Sequence, residues 1–222
     1  MSSAELSSGK HANKHPLDWY VEQGWEWEQI VDAIGLEDEI LGGCSIWDPA
    51  CGYGHSLSRL QGIGFAGELI GSDLVDNLAR EDFDRPPSFF GADFLELTTR
   101  PCAGPLSIWM NPPYSYRPGL LEAFCRQALA LATHRLVVLA PLKWMSGGKY
   151  RGPFFRRDFP PQLTMHFTTR PSMPPGDRIA AMGGRAYKNG KVDYVAVAWD
   201  VRNPTPSGRT REVWLPELGS RS

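Results

Sequence analysis

The sequence has few cysteines, and they are not arranged to bind a metal. Cys44, Cys51, Cys102 and Cys125 form no C-x-x-C pair and have no histidine at zinc spacing. A chain of 222 residues can bury a substantial apolar core without a disulfide framework. We therefore expect reduced thiols, no bound metal and a cytoplasmic protein.

Long hydrophobic runs are also missing. No apolar stretch approaches the roughly 20 residues that a membrane-spanning helix needs, and the first residues are polar, unlike those of a signal peptide. These absences predict a protein that does not contact a membrane. Residues 1–15 and 217–222 are expected to be loose tails on a single domain that spans 16–216.

Net charge is small, but it is distributed unevenly along the chain. The formal net charge of −2 neither favours nor excludes nucleic acid. Residues 143–192 stand at about +8, opposed only by Asp158 and Asp177, whereas residues 1–142 stand at about −10. The basic stretch is a candidate surface for a polyanion; the alternative is a solvated region that binds nothing. Its basic residues are Lys143, Lys149, Arg151, Arg156, Arg157, Arg170, Arg178, Arg185, Lys188 and Lys191.

Short apolar segments alternate with turns and amphipathic segments along most of the chain. Helical spacing of apolar residues is found at 17–36, where Gly24 is a possible break, and at 55–61 and 118–132. This alternation predicts an α/β fold with a mostly parallel sheet and helices on both faces. The last two strands leave no room for a helix between them, so an antiparallel pair is expected there. Strands are predicted at 45–47, 68–72, 88–91, 106–110, 135–140, 163–167 and 192–199.

The first predicted strand leads into a glycine-rich loop, DPACGYG, over residues 48–54. Gly52 and Gly54 permit a tight turn and close approach of a ligand to the backbone, and the following helix offers free N–H groups. The G-x-G-x-x-G pattern of dinucleotide loops is incomplete, because its third glycine is missing. The Asp48 carboxylate would repel a pyrophosphate but could hold an ammonium group. The loop therefore favours a nucleoside that carries an amino acid over NAD.

Two further aspartates follow the second and third predicted strands. In open α/β sheets, ligands bind at the carboxyl ends of the strands. Asp73 is placed to accept hydrogen bonds from ribose hydroxyls, and Asp93 to accept one from an adenine amino group. Aspartate is also common as a cap or turn residue, but aspartates at three successive strand ends indicate one shared ligand site.

The fourth predicted strand ends at Asn111-Pro112-Pro113-Tyr114. The two prolines stiffen the turn and remove two N–H donors, so the turn presents carbonyl oxygens. A planar amino or amide nitrogen is a poor nucleophile because its lone pair is delocalised. The Asn111 side-chain oxygen and the Pro112 carbonyl could accept its N–H groups, and the lone pair would then point at a methyl donor. Tyr114 would stack on the substrate. The alternative is a rigid turn with a buried tyrosine.

The two motifs resemble those of S-adenosylmethionine-dependent amino-methyltransferases, and the chain resembles small phage and prophage DNA adenine-N6 methyltransferases over about residues 45–200. This resemblance implies the Rossmann-like, seven-strand sheet of class I methyltransferases, with S-adenosyl-L-methionine as cofactor. It implies that the catalytic motif is Asn111, Pro112, Pro113 and Tyr114. The cofactor-binding residues that it implies are Tyr20, Asp48, Pro49, Ala50, Cys51, Gly52, Gly54, Asp73, Leu74, Asp93, Phe94 and Asn111.

The segment DWYVE at 18–22 is similar to a stretch that precedes the donor loop in phage-type adenine methyltransferases and closes over the methionine end of the cofactor. One departure is that the chain has no room for a separate target-recognition domain. Loops after the fourth, fifth and sixth strands would then contact the target, with aromatic residues stacking on an extruded base. Those aromatic residues are Trp144, Tyr150, Phe154, Phe155 and Tyr187.

The leading hypothesis is methylation of adenine N6 in DNA. The same motif resembles enzymes that act on cytosine N4, on RNA bases and on protein glutamine. The charge asymmetry favours nucleic acid over protein, and the family resemblance alone favours DNA over RNA. A non-catalytic module that binds S-adenosylmethionine or nucleic acid is a second class, which the intact motif disfavours. A Rossmann dehydrogenase is disfavoured by the missing glycine.

Overall fold

A computed structural model describes residue 17 and residues 19–114, 118–146, 151–188 and 190–219. The predicted tail at 1–15, the end of the second tail at 220–222, Asp18 and Tyr150 lie outside these residues. Within the described ranges, one sheet has the strand order β3-β2-β1-β4-β5-β7-β6-β8. The strands are β1 (Ser45–Asp48), β2 (Leu69–Asp73), β3 (Ser88–Gly91), β4 (Leu106–Met110), β5 (Arg135–Pro141), β6 (Leu163–Phe167), β7 (Tyr194–Asp200) and β8 (Arg211–Leu215).

The predicted α/β, Rossmann-like fold is confirmed. Strands β1 to β5 are parallel to one another. Strand β7 runs antiparallel between β5 and β6, so the expected antiparallel pair is present. Residues 168–193 between β6 and β7 nevertheless include the short helix Ile179–Met182, so the expectation that no helix fits there is wrong. The structure adds an eighth strand, β8, which pairs parallel with β6. Sequence reasoning missed β8 because its side chains alternate little between buried and exposed: in this strand, Leu215 alone is fully buried.

The helices differ from the prediction at their beginnings. Residues 19–23 are extended rather than helical, because Val21 donates its N–H to the Pro174 carbonyl at 3.0 Å; the first helix begins only after Gly24, at φ 98°. The fourth helix begins after Gly119, at φ 80°, rather than at Pro118. The helices are α1 (Trp25–Ile34), α2 (Glu37–Leu41), α3 (His55–Gly62), α4 (Leu120–Leu131), α5 (Arg151–Pro153) and α6 (Ile179–Met182).

Two apolar layers cover the sheet. Ile46 of β1 packs into the layer that also holds Trp27 of α1, whereas its neighbour Trp47 packs into the layer that holds Phe124 of α4. The side chains of successive strand residues point to opposite faces of the sheet. Helices are therefore required on both faces to bury the apolar side chains. All seven residues of β5 are buried. Among the described residues, no helix combines the length and the apolar character needed to cross a membrane.

Candidate functional site

A cavity of about 470 Å³ lies at the carboxyl ends of β1 to β4, where the strand order reverses. This volume is within the usual range for a small-molecule site. Four carboxyl side chains line it, those of Glu22, Asp48, Asp73 and Asp93, and the described lining residues include no lysine or arginine. The cavity therefore suits a ligand that carries positive charge and disfavours one that carries a pyrophosphate.

Asp48 ends β1 and is 2% exposed. One of its oxygens accepts the N–H of Ala50 at 3.0 Å, and the other accepts the hydroxyl of Ser56. Burial outweighs these hydrogen bonds and raises the pKa of Asp48 to about 8. A nearby cation stabilises the charged form of a carboxyl group, so a ligand ammonium group would ionise Asp48 on binding.

The glycine-rich loop is tied to the end of β2. Gly52 donates its N–H to one carboxylate oxygen of Asp73 at 2.9 Å, and Leu74 donates its N–H to the other at 2.7 Å. Burial raises the pKa of Asp73. A carboxylate has about four lone-pair sites, so Asp73 retains acceptor capacity for ligand hydroxyls while it holds the loop.

The residues of the glycine-rich loop differ in whether they line the cavity. Pro49, Ala50 and Cys51 line it, and burial raises the pKa of the Cys51 thiol, which keeps this group neutral. Gly54 does not line the cavity. It precedes α3 at φ 84°, and a Cβ added there would lie 2.5 Å from Leu78 Cδ1; its role is to let the loop pack tightly.

Three further residues of the predicted cofactor-binding set also lie at the cavity. Leu74, Asp93 and Phe94 all line it. Asp93 is exposed, and one of its oxygens accepts the N–H of Leu95 at 2.9 Å, so it also caps the short 3₁₀ turn Phe94–Glu96. Phe94 is 2% exposed and serves the core as well as the cavity wall.

Residues 19–22, which we term the strap, run across the glycine-rich loop. Gly176 donates its N–H to the Trp19 carbonyl at 3.2 Å, and Tyr20 forms an isolated β-bridge with Pro175. The Trp19 indole covers both Gly52 and Gly176: a Cβ at Gly52 would lie 2.7 Å from Trp19 Nε1, and a Cβ at Gly176 would overlap the ring. The strap therefore closes one side of the cavity, and Tyr20 lines it.

Asn111 is the polar side chain at the end of β4. Its amide nitrogen donates to the Glu22 carboxylate at 2.7 Å and to the Tyr20 carbonyl at 3.3 Å. Its amide oxygen accepts the Tyr114 hydroxyl. Both partners of the nitrogen are acceptors, which assigns the orientation of the amide. The oxygen is therefore the atom that Asn111 offers to a donor.

The remainder of the NPPY motif is divided between cavity and core. Pro113 lines the cavity, whereas Pro112 and Tyr114 are not among its lining residues. Pro112 is buried and Tyr114 is half-buried. The Tyr114 ring lies 6.1 Å from that of Tyr194 and its hydroxyl lies 3.8 Å from Met173 Sδ, so Tyr114 packs beside Asn111 without lining the cavity.

Several residues of the site were not singled out by sequence reasoning. The similarity of 18–22 to a cofactor-closing segment pointed to the strap, but it assigned no partner to Glu22. Met173 and Gly176 carried no chemical signal, since their partners lie more than 50 residues away along the chain. Pairing between such distant segments leaves no local periodicity to detect.

The basic stretch, residues 143–192, differs from the prediction at two of its aromatic residues. Trp144, which is 5% exposed, and Phe154, which is 0% exposed, belong to the core. The prediction that these two stack on a base is therefore wrong. Trp144 and Phe154 pack against Phe155, whose ring lies 4.7 Å from that of Trp144 and 5.0 Å from that of Phe154. Phe155 and Tyr187 are half-buried, which leaves an edge of each accessible.

Part of this basic stretch lies next to the strap. Its residues Pro174 and Gly176 are hydrogen-bonded to the strap. Burial, assisted by the charges of Glu22 and Glu26, raises the pKa of Tyr187 to about 12. Arg185 and Lys188 flank Tyr187 and are exposed. Neither has an ion pair within the described part of the chain, unlike Arg157 and Arg170. Neither Arg185 nor Lys188 lines the cavity.

No protein-family model and no curated protein matches the chain. Among solved structures, it is similar to a protein of Pyrococcus horikoshii, described as a proposed RNA methyltransferase, with 16% identity, 86% of this chain and 90% of that chain covered, and a TM-score of 0.56. It is also similar to a proposed hemolysin of Lactococcus lactis, with 12% identity, coverage of 86% and 93%, and a TM-score of 0.54. At these identities the likeness establishes the fold, which this chain shares with both structures.

Proposed function

We propose that this protein is an S-adenosylmethionine-dependent N-methyltransferase. The observation that carries the proposal is the acidic cavity, which holds four carboxyl groups and, among its described residues, no lysine or arginine, with Asn111 at its edge. S-adenosylmethionine carries a sulfonium and an ammonium group and has no phosphate, which matches these charges. A dinucleotide would place its two negatively charged phosphates next to the same carboxylates, which would repel them.

The residues present fit this cofactor. Asp48, buried with a pKa of about 8, is a carboxyl group that an ammonium would ionise. Asp73 keeps lone pairs for ribose hydroxyls while it holds Gly52. Asp93 and Phe94 offer an acceptor and an apolar wall at the third strand end. When bound, the cofactor supplies an electrophilic methyl group.

Asn111 and Pro112 act on the nucleophile. The Asn111 oxygen and the Pro112 carbonyl accept the N–H groups of a planar amino group, and the nitrogen lone pair is then directed at the methyl carbon. With the cofactor bound, this nitrogen would take the methyl group from the sulfonium sulfur, and the sulfur would keep the electron pair of the broken bond. The methylated nitrogen gives its extra proton to water, so the reaction needs no ionised base before attack.

The proposed substrate is a nucleic-acid base, and specifically adenine N6 in DNA. The exposed Arg185 and Lys188 of the basic stretch provide cations for phosphate contacts. The NPPY motif suits an exocyclic amino group, and the resemblance to phage-type enzymes favours adenine in DNA. The structurally similar protein of Pyrococcus horikoshii is described as a proposed RNA methyltransferase, which makes RNA the first alternative to measure.

The test is methyl transfer from labelled S-adenosylmethionine to unmethylated DNA, total RNA and a protein extract, each in a separate reaction. Products are digested, and the modified residue is identified by mass spectrometry. We expect N6-methyladenine in DNA. Label in RNA or protein would retain the chemistry and replace the substrate.

Binding is measured in parallel by calorimetry with S-adenosylmethionine and with NAD. We expect the first to bind and the second not to bind. Cofactor binding without methyl transfer to any of the three substrates would overturn the enzymatic proposal in favour of a non-catalytic module, and binding of NAD alone would overturn the assignment of the cavity.

A further inference from the structure

The side chain of Glu22 connects the strap to the catalytic turn. It is 6% exposed, and both of its carboxylate oxygens are engaged. Oε2 accepts the Asn111 amide N–H at 2.7 Å, and Oε1 accepts the indole N–H of Trp27 at 2.9 Å. Trp27 is fully buried in α1, so the carboxylate is held from the core side and presented to Asn111 from the cavity side.

The backbone of Glu22 is fixed as well. Its carbonyl oxygen lies 2.6 Å from His55 Nδ1 at the start of α3, and the adjacent Val21 N–H is bonded to Pro174. A side chain with this many fixed contacts has little freedom to follow its partner. The position of Glu22 therefore determines the orientation of Asn111, rather than the reverse.

The chemistry of Asn111 depends on that orientation. A carboxamide has one acceptor atom, and rotation by 180° about its last bond exchanges this oxygen for an N–H donor. A flipped Asn111 would present N–H groups to the N–H groups of a substrate amine. Glu22 and the Tyr20 carbonyl are both acceptors at the nitrogen, and they oppose this flip.

We propose that Glu22 is a positioning residue for the catalytic asparagine: by accepting the Asn111 amide N–H, it keeps Asn111 Oδ1 available to the target amino group. In the structure the Tyr114 hydroxyl occupies that oxygen, and a substrate amine replaces it as donor. This inference rests on the proposed N-methyltransferase function. It adds that the strap, which borders the cofactor cavity, also orients the group that binds the substrate.

The experiment reverses the polarity of the hydrogen bond. Glu22→Gln alone introduces a donor that must face either Trp27 or Asn111, both of which are donors. Asn111→Asp alone places two carboxylates against each other. In the double variant, the new amide accepts from Trp27 and donates to the aspartate at position 111, whose second oxygen remains for the substrate. Donors and acceptors are then matched between Trp27 and position 22 and between positions 22 and 111, whereas the longer contact of position 111 to the Tyr20 carbonyl, 3.3 Å in the wild type, loses its donor.

Turnover at saturating cofactor, the cofactor dissociation constant and the free energy of unfolding are measured for all four proteins. We expect each single variant to lose at least about tenfold in turnover, with the dissociation constant within about threefold of wild type. The double variant is expected to turn over at least about tenfold faster than Asn111→Asp. Effects on unfolding should be non-additive, as for contacting residues.

Glu26→Gln is the matched control, since Glu26, in the first turn of α1, is also a buried glutamate but does not line the cavity. Burial raises its pKa to about 8, so a neutral glutamine resembles its protonated form, and turnover should stay within about threefold of wild type. A double variant no faster than Asn111→Asp, or additive effects on unfolding, would overturn the positioning role. A wild-type protein that methylates nothing would overturn the proposed function and this role with it.

Discussion

The Gly52 N–H donates to the Asp73 carboxylate at 2.9 Å, and this hydrogen bond joins the glycine-rich loop after β1 to the end of β2. The same carboxylate accepts the Leu74 N–H, so one side chain shapes two segments of the cavity wall. A ligand that bridges the two strand ends would therefore depend on Asp73 both directly and through the loop.

Replacing Asp73 tests this dependence. We expect Asp73→Ala to raise the dissociation constant for S-adenosylmethionine by about tenfold or more, since hydrogen bonds to a charged group contribute about 1.5–3 kcal/mol. Calorimetric titration measures the change. Asp76→Ala is the control, because Asp76 is exposed, pairs with Arg80 and does not line the cavity. An unchanged dissociation constant for Asp73→Ala would remove this residue from the cofactor site.

Asn111→Ala separates catalysis from cofactor binding. We expect methyl transfer to fall by about 10²-fold or more, the loss typical of removing one preorganised polar group from a transition state, while the cofactor dissociation constant changes by less than about fivefold. Initial rates and calorimetry give the two values. Asn203→Ala removes an exposed amide that donates to Asp200 at 3.1 Å, and it should leave both unchanged. Equal losses of rate and binding in Asn111→Ala would make Asn111 structural.

The pKa of Asp48 predicts a pH dependence of cofactor binding. Burial raises this pKa from 3.8 to about 8, so the group is mostly protonated at pH 6 and must release a proton to pair with an ammonium. Affinity should therefore increase by about tenfold per pH unit between pH 6 and 7.5. Calorimetry in two buffers of different ionisation enthalpy detects the released proton.

Asp48→Asn should abolish this pH dependence, whereas Glu26→Gln should retain it. The same raised pKa means that the contribution of Asp48 to stability is fully present below pH 3.8 and is lost as the pH rises towards about 8. Asp48→Asn should therefore flatten the fall in unfolding free energy over that range. A wild-type affinity that is level from pH 6 to 7.5 would contradict the assignment of Asp48 to the ammonium group.

Close packing of Trp19 on Gly176 predicts the effect of an added methyl group. A Cβ at Gly176 would overlap the indole ring, so Gly176→Ala should displace the strap, destabilise the protein by about 1–3 kcal/mol and weaken cofactor binding. Thermal unfolding and calorimetry measure the two effects. Gly184→Ala is the matched control, because a Cβ there meets nothing within 4 Å. If Gly176→Ala behaved like this control, the strap would not need Trp19 in its observed place.

The exposed cations of the basic stretch predict a salt dependence of nucleic-acid binding. Replacing Arg185 and Lys188 together by alanine should reduce the slope of log affinity against log salt by about 2, since each phosphate contact contributes about 0.9 on duplex DNA. Fluorescence anisotropy over a range of salt concentrations measures the slope. Arg209→Ala, an exposed arginine on the turn before β8, should leave the slope unchanged. Unaltered binding in the double variant would place the nucleic-acid surface elsewhere.

The amino-acid sequence by itself determined the strands of the sheet up to β7 and the residues at their carboxyl ends. Apolar segments such as β5 are buried on both faces and are recognisable locally, and parallel strand ends converge on one edge. This is why Asp48, Asp73 and Asn111 could be assigned to one cavity from their places in the chain. The exposed strand β8 lacked that local signal and was missed.

Only the tertiary structure decided how the Asn111 side chain is held and which residues of the basic stretch reach solvent. Glu22 and Asn111 meet across 89 positions of sequence, and Tyr53 and Gly176 across 123. Local patterns report the period of one element, whereas these contacts depend on the packing of several elements against one another. Packing between elements also buries Phe154 in the core, although Arg156 and Arg157, two and three positions further along the chain, are exposed.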